Sequence, residues 1–178
     1  MQRRDFMAAA ALAGLAPAWA QAGYPAKPVR MIVPFPPGGP TDVMGRTAAK
    51  AMGDRLGQQF VVENKAGAGG NIGTDAVAKA APDGYTIGLT AISSLAIAPH
   101  LYSSVPFNVE KDFVPISLVG TTPCALVIHP AAPFSDLKGM VAYAKANPGK
   151  LSYATSGIGT SNHLAAELLQ SVAGIQLT

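Results

Sequence analysis

Short apolar segments alternate with helical patterns from Val29 to the end of the chain. Most apolar segments are followed by a turn rich in glycine, proline or small polar residues, and then by a stretch in which apolar residues recur three or four positions apart. This alternation is typical of βα units, in which helices join parallel strands. The sequence therefore predicts an α/β protein with a largely parallel sheet.

The first half of the pattern predicts three strands and two helices. The strands are expected at residues 30–35, 59–63 and 85–90, and the helices at 41–56 and 71–80. Gly57 is expected to end the first helix, because glycine readily takes the left-handed conformation found after a helix C-terminus. Residues 91–94 open a short helical turn toward Pro99, and residues 106–115 carry turn signals that resemble a crossover between two lobes.

The second half predicts further strands and two more helices. Strands are expected at 116–121, 125–129 and 151–155, and helices from a Ser135 cap to 146 and at 161–172. The last helix is expected to bury a face that contains Leu164, Leu168, Leu169 and Val172. Gly174 is expected to end it, and residues 175–178 begin a strand that the sequence does not finish.

The first 20 residues have the pattern of an export signal. Arg3 and Arg4 form a positive segment, residues 6–15 are apolar, and residues 18–20 form an Ala-x-Ala cleavage site. Cleavage is expected after Ala20, which would place the mature protein in the periplasm. The run from Arg3 to Met7 also resembles a twin-arginine signal, although Gln2 stands where that pattern usually has serine or threonine.

Composition and charge exclude several classes of protein. The 178 residues are 49% hydrophobic and 13% charged, which is typical of a globular chain. No apolar stretch after the leader approaches the length of a membrane-spanning helix. Without the leader, 11 basic and 9 acidic residues are left, scattered with no basic stripe. We therefore expect no nucleic-acid partner.

Cysteine and histidine give no support for a metal site. Cys124 is the single cysteine, so it cannot form an internal disulfide or a thiolate metal site, and it is expected to be a small core residue. His100, His129 and His163 are far apart, and none has a second ligand at helical spacing. The sequence predicts no metal and no cofactor.

Two strand–loop–helix junctions have the composition of an anion-binding site. In residues 36–42, prolines fix the backbone, glycines allow a ligand to approach closely, and Thr41 lies at a helix N-terminus. Residues 155–161 also place glycines before a helix N-terminus, together with four hydroxyl side chains. Unpaired N–H groups and aligned peptide dipoles at a helix N-terminus favour a carboxylate. Two capped turns without any ligand would fit the pattern equally well. Asp42 could likewise only stabilise the helix dipole without contacting a ligand.

Two other motifs resemble known signatures only in part. The glycine-rich residues 67–73 do not match a dinucleotide loop, because Ile72 occupies the sixth place, and a structural turn with a helix cap fits them better. Ser156 and Ser161 do not lie in G-x-S-x-G. An exported α/β serine hydrolase that uses one of these serines with His163 as base is nevertheless the alternative function, and a fragment without function is a third possibility.

Four blocks occur in order along the chain, at residues 29–42, 62–73, 82–86 and 156–164. Together they resemble the substrate-binding proteins of tripartite tricarboxylate transporters, the Bug-type extracytoplasmic solute receptors. The resemblance implies a two-lobed periplasmic-binding-protein fold of type II, the Venus-flytrap fold. Residues 21–112 would form part of the first lobe and residues 113–178 part of the second. Such receptors are nearly twice this length, so the second lobe is expected to be incomplete.

The resemblance also implies a function without catalysis. A monomeric receptor would capture a small carboxylate between its lobes and deliver it to membrane permease subunits of the transporter. The ligand class is a di- or tricarboxylate, an acidic amino acid or an aromatic acid, and the sequence does not select among them. It also leaves open whether these 178 residues fold without the rest of the second lobe.

The resemblance further assigns candidate ligand contacts. In the first loop, Phe35 would be an apolar wall, Gly38 and Gly39 amide donors, Thr41 a hydroxyl or amide donor, and Asp42 an acceptor for a ligand amino group. In the second loop, the donors would be Ser156, Gly157, Gly159 and Thr160, with His163 as a further contact. Ser93, after the third strand, is another candidate. Ala98 stands where the family often has asparagine, which removes one possible polar contact.

Overall fold

The computed structural model describes residues 23–178, so the predicted leader and its cleavage site lie outside the described residues. The strands are β1 (Val29–Val33), β2 (Phe60–Asn64) and β3 (Thr86–Gly88), and the helices are α1 (Pro40–Leu56), α2 (Asn71–Ala78), α3 (Ala98–Leu101), α4 (Leu137–Ala146) and α5 (Ser161–Ala173). A 3₁₀ turn, Ala68–Gly70, precedes α2, and a π-helical turn, Ser93–Ile97, precedes α3. None of the helices in this range has the length and apolarity to cross a membrane.

The three strands form one parallel sheet in the order β2-β1-β3. Val29 pairs with Phe60 on one side of β1, and Arg30 pairs with Thr86 on the other. The central strand is the most apolar, and Val29, Met31, Ile32 and Val33 are all buried. A strand that is covered on both faces needs such a continuous apolar run. The predicted α/β class with a parallel sheet is confirmed.

The core lies between the sheet and α1. Met31, Val33 and Ala49 form its buried centre, and partly buried side chains from α1, β2, β3 and Leu89 surround them. Gly45 allows α1 to approach, because a Cβ atom at this position would lie 2.9 Å from Val33 Cγ2. The α1 prediction was correct to within one residue, and Gly57 ends the helix as expected with φ of 68°. This packing fixes the start of α1 relative to the end of β1.

Residues 113–178 differ more from the predictions. None of the segments 116–121, 125–129, 151–155 and 175–178 is a strand, so these four predictions were wrong. Ile116 and Val127 are each 83% exposed, and Cys124 is exposed instead of buried. The last two segments do run side by side, because Tyr153 N–H donates to Thr178 O and Thr178 N–H donates to Leu151 O, both at 2.9 Å. A strand needs a continuous partner, and the described residues supply none here.

The helices of this region were placed correctly, but some of their details were not. The N-cap of α4 is Asp136, whose Oδ1 accepts from Gly139 N–H at 2.7 Å, so the predicted Ser135 cap was wrong. The C-terminus of α5 at Gly174 was correct. The expected buried face of α5 was wrong, since Leu168 is 64% and Val172 79% exposed. The described residues do not cover this face.

Candidate ligand-binding site

The loops that follow the three strands meet at the carboxyl edge of the sheet. A Cβ atom added to Gly70, after β2, would lie 3.2 Å from Phe35 Cζ, after β1, and 2.7 Å from Ser94 Oγ, after β3. The chain runs from β1 to one neighbour and then returns to the other side of β1. Open α/β sheets bind ligands in the crevice at such a reversal, outside the carboxyl ends of the strands. The topology therefore places a candidate site beside Phe35.

The first loop is held by a network around Asp42. This side chain is only 3% exposed, and its Oδ2 accepts from Gly38 N–H and Arg46 Nε, both at 2.9 Å. Its Oδ1 accepts from Asn64 Nδ2 at 2.8 Å, and the same amide group donates to Phe35 O at 3.0 Å. Both ends of the loop are thus tied to α1 and to the end of β2.

The network also fixes the charge of the loop. The Arg46 guanidinium, with the Gly38 N–H and the Asn64 amide, holds the pKa of Asp42 well below its ordinary value of 3.8. Asp42 is therefore ionised and paired with Arg46 at neutral pH. Its oxygens are already engaged, so it acts as a support for the loop, and Gly38 N–H is likewise occupied. Ligand contacts at Gly38 and Asp42 stay predictions, and in this structure both residues have a supporting role in the loop.

Two other donors of the first loop are free. Gly39 is the N-cap of α1, Pro40 has no N–H group, and Thr41 occupies the first turn. Within residues 23–178, no hydrogen bond engages the N–H groups of Gly39 and Thr41 or the Thr41 hydroxyl. The first N–H groups of a helix have no partner inside it and carry its positive dipole end. These N–H groups are therefore a candidate position for an anion.

Ser93 begins the π-helical turn that follows β3 and has an unused hydroxyl group. It is 4% exposed, and its Oγ has no hydrogen-bond partner among the described residues. Asn71, at the start of α2, is 6% exposed, and its Oδ1 is also without a partner. Buried polar groups normally make hydrogen bonds, and an unsatisfied one costs about 1–3 kcal/mol. The carboxyl edge of the sheet therefore holds buried hydrogen-bonding capacity that the protein itself does not use.

The second loop, residues 155–161, is largely organised by its own bonds. Thr160 is the N-cap of α5; its hydroxyl donates to Gly157 O at 2.7 Å and accepts from His163 N–H at 3.4 Å. Gly159 N–H donates to His163 Nδ1 at 3.5 Å, and Gly157 N–H donates to Thr155 Oγ1 at 3.3 Å. Ser156 is exposed. Of the predicted contacts in this loop, Ser156 is the one with a free and accessible hydroxyl group.

The structure brings the second loop to the glycine-rich turn and to α3. A Cβ atom on Gly69 would lie 2.9 Å from Ile158 O, and one on Gly159 would lie 2.9 Å from Leu101 Cδ2. Tyr102 donates its hydroxyl to Ile158 O at 3.0 Å. The sequence predicts a structural turn with a helix cap at residues 67–73, and it gives no signal for a role of Tyr102. The run of glycines was a signal of close approach, but it did not show what approaches.

The hydrolase hypothesis finds no catalytic pair here. The Nδ1 atom of His163 accepts from Gly159 N–H, and its Nε2 lies 3.9 Å from Glu167 Oε1. Across residues 23–178, no hydrogen bond joins His163 to the hydroxyl group of Ser156 or Ser161. A nucleophile needs a base within hydrogen-bond reach. The same range contains no group of three or more histidine, cysteine or acidic side chains arranged to hold a metal ion.

Known proteins share this sequence and fold. A family model described as "Tripartite tricarboxylate transporter family receptor" matches residues 44–178. Protein BugT of Bordetella pertussis is 48% identical over 161 residues, which are 90% of this chain and 49% of that protein. The chain therefore spans about half the length of the curated relatives that it matches.

Solved structures of the same kind superpose on the described fold. R. palustris Rpa4515 with adipate has a TM-score of 0.84 at 31% identity, over 87% of this chain and 52% of that one. The periplasmic binding protein BugD has a TM-score of 0.72 at 38% identity, over 86% of this chain and 51% of that one. The fold is thus that of a periplasmic binding protein, represented over part of its length.

Proposed function

Because the chain belongs to the tripartite tricarboxylate transporter receptor family, we propose that it takes part in capturing a small carboxylate in the periplasm. The captured ligand would pass to permease subunits of a tripartite transporter, and the receptor would act as a monomer without catalysis. The ligand class is a di- or tricarboxylate, an acidic amino acid or an aromatic acid. The adipate bound to the related Rpa4515 belongs to this class.

The free N–H groups of Gly39 and Thr41 carry the proposal. They start a helix of 17 residues whose dipole favours an anion at this end. The negative charge of Asp42 would oppose an incoming carboxylate, but Arg46 neutralises it at 2.9 Å. The field at the loop is then set by the N–H groups, and a carboxylate satisfies them.

The other proposed contacts surround this position. Phe35 would provide an apolar wall, and the Ser93 hydroxyl would supply a second donor from the loop after β3. We retain the division into a first lobe, residues 21–112, and a second lobe, residues 113–178, with the ligand between them. The contact of Gly69 with Ile158 supports this arrangement, because it joins the two sides. Ser156, together with Gly157, Gly159 and Thr160, would close the site from the second lobe.

Isothermal titration calorimetry tests the proposal. The full chain would be titrated with succinate, adipate, citrate, glutamate and benzoate, and at least one should bind. Thr41→Val should weaken that binding about tenfold, because a hydrogen bond to a charged group contributes about 1.5 kcal/mol or more. Thr47→Val is the matched control, since Thr47 lies on the same helix and its hydroxyl donates to Val43 O. A chain that binds none of the five acids would contradict the proposal.

A further inference from the structure

We infer that Tyr102 is a positioning residue that holds residues 155–161 against the first half of the chain and slows the release of a bound carboxylate. Tyr102 closes α3, and its hydroxyl donates to Ile158 O across 56 residues of sequence at 3.0 Å. The contact itself is independent of any ligand. Its effect on ligand release rests on the proposed function.

This bond has no equivalent elsewhere between the two sides of the site. Across the part of the chain that the structure describes, it is the single hydrogen bond that joins residues 23–112 to residues 113–178, and no salt bridge joins them. Loss of this one hydroxyl group therefore removes the polar link between the two sides while each side keeps its own bonds.

Two glycines make room for the tyrosine side chain. A Cβ atom on Gly159 would lie 3.3 Å from Tyr102 Cε2, and one on Gly69 would lie 3.6 Å from the Tyr102 hydroxyl oxygen. Both glycines have positive φ, 79° and 64°, which side chains with a Cβ atom rarely adopt. The ring thus lies between two backbone segments that come from opposite sides of the site.

The tyrosine is anchored on the first side by α3 and the π-helical turn before it. Tyr102 N–H donates to Ala98 O at 3.0 Å, and Ala98 is buried. The same continuous segment begins with Ser93, the buried residue with the unused hydroxyl group. Tyr102 therefore connects the segment that carries Ser93 to the loop that carries Ser156.

Hydrogen–deuterium exchange of the full chain without ligand tests the contact directly. Tyr102→Phe keeps the ring and removes the hydroxyl group. We expect amides of residues 156–160 to exchange about fivefold faster, since a net hydrogen bond of about 1 kcal/mol corresponds to that factor. Amides of β1 should be unchanged. Tyr143→Phe is the control, because Tyr143 lies on α4 with its ring against Phe134.

The second readout is the rate of ligand release. Stopped-flow measurement with the acid that binds in calorimetry should give an unchanged association rate and about fivefold faster dissociation for Tyr102→Phe. Gly69→Ala, which obstructs Ile158 O at 2.9 Å, should increase exchange of the same amides. Unchanged exchange at residues 156–160, or an equal increase in β1, would overturn the inference. If the wild-type chain binds no carboxylate, the proposed function fails, while the exchange data still decide the role of Tyr102.

Discussion

Gly73→Ala is expected to destabilise the protein although it improves helix propensity. Gly73 lies in the first turn of α2, and a Cβ atom there would be 2.7 Å from Lys65 O and 2.7 Å from Pro34 Cα. Ordinary contacts begin at 3.4 Å, so α2 would have to move by about 0.7 Å. Both obstacles are backbone atoms at the ends of β2 and β1, which cannot turn aside as a side chain can.

The size of the effect follows from two opposing terms. Replacing glycine by alanine inside a helix gains about 1 kcal/mol. Overpacking a close contact costs about 1–3 kcal/mol, and rigid obstacles place the cost near the upper end. We therefore expect a net loss of about 2 kcal/mol in the free energy of unfolding.

Urea unfolding followed by circular dichroism at 222 nm measures this change. Gly139→Ala is the matched control, because Gly139 is also in the first turns of a helix and a Cβ atom there would meet its nearest neighbour, Phe134 Cβ, at 3.1 Å. A contact at 3.1 Å is 0.4 Å longer than the one at Gly73, so the control should lose clearly less stability than Gly73→Ala. A Gly73→Ala protein that is as stable as the control would refute the packing of α2 against the strand ends.

Three other substitutions test the loops and helix ends. Arg46 lowers the pKa of Asp42, so the charge of Asp42 stabilises the fold above pH 3.8, and this contribution is lost as the pH falls through the lowered value. The urea midpoint of Asp42→Asn should therefore depend less on pH between 7 and 2 than that of the wild type. Parallel curves for the two proteins would contradict this. Thr160→Ala removes the N-cap of α5 and should cost about 1 kcal/mol by the same assay; an unchanged midpoint would contradict it. Hydrogen bonding to Glu167 raises the pKa of Tyr153 above its ordinary 10.0. In Tyr153→Phe, the rise of tyrosinate absorbance at 295 nm should therefore lose amplitude at its high-pH end, and an unchanged high-pH end would contradict the pairing.

The sequence predicted the first half of the fold better than the second, for a physical reason. In β1, residues 31–33 are all apolar and buried, and the helices have clear ends such as Gly57, so local pattern and final packing agree. The apolar runs at 116–121 and 125–129 also suit strands. A strand forms only where a neighbouring strand completes its hydrogen bonds, and the sequence of one apolar segment does not show whether such a neighbour is present. Ile116 and Val127 are residue types that favour strands, but they are exposed and no neighbouring strand among the described residues pairs with their segments.

In the candidate site, the sequence likewise does not predict which single N–H groups are free. Composition located the loop at residues 36–42, but it did not separate Gly38 from Gly39. The difference comes from Asp42, which takes the Gly38 N–H, and Asp42 is in turn oriented by Asn64 at the end of another strand. Which amide has no partner is thus decided by a contact across 22 residues of sequence. A pattern that is read along the chain does not contain that information.

Two glycines of the glycine-rich turn are required for different structural reasons. A Cβ atom at Gly67 would meet the side chain of Ile72 at 2.5 Å, within the turn itself, whereas one at Gly69 would meet Ile158 O from the other side of the site. Both positions have positive φ. The first glycine is therefore required by local folding, and the second by the approach of residues 155–161. Because the two requirements involve different neighbours, alanine at Gly67 should disturb α2 alone, while alanine at Gly69 should also release the loop that Tyr102 holds.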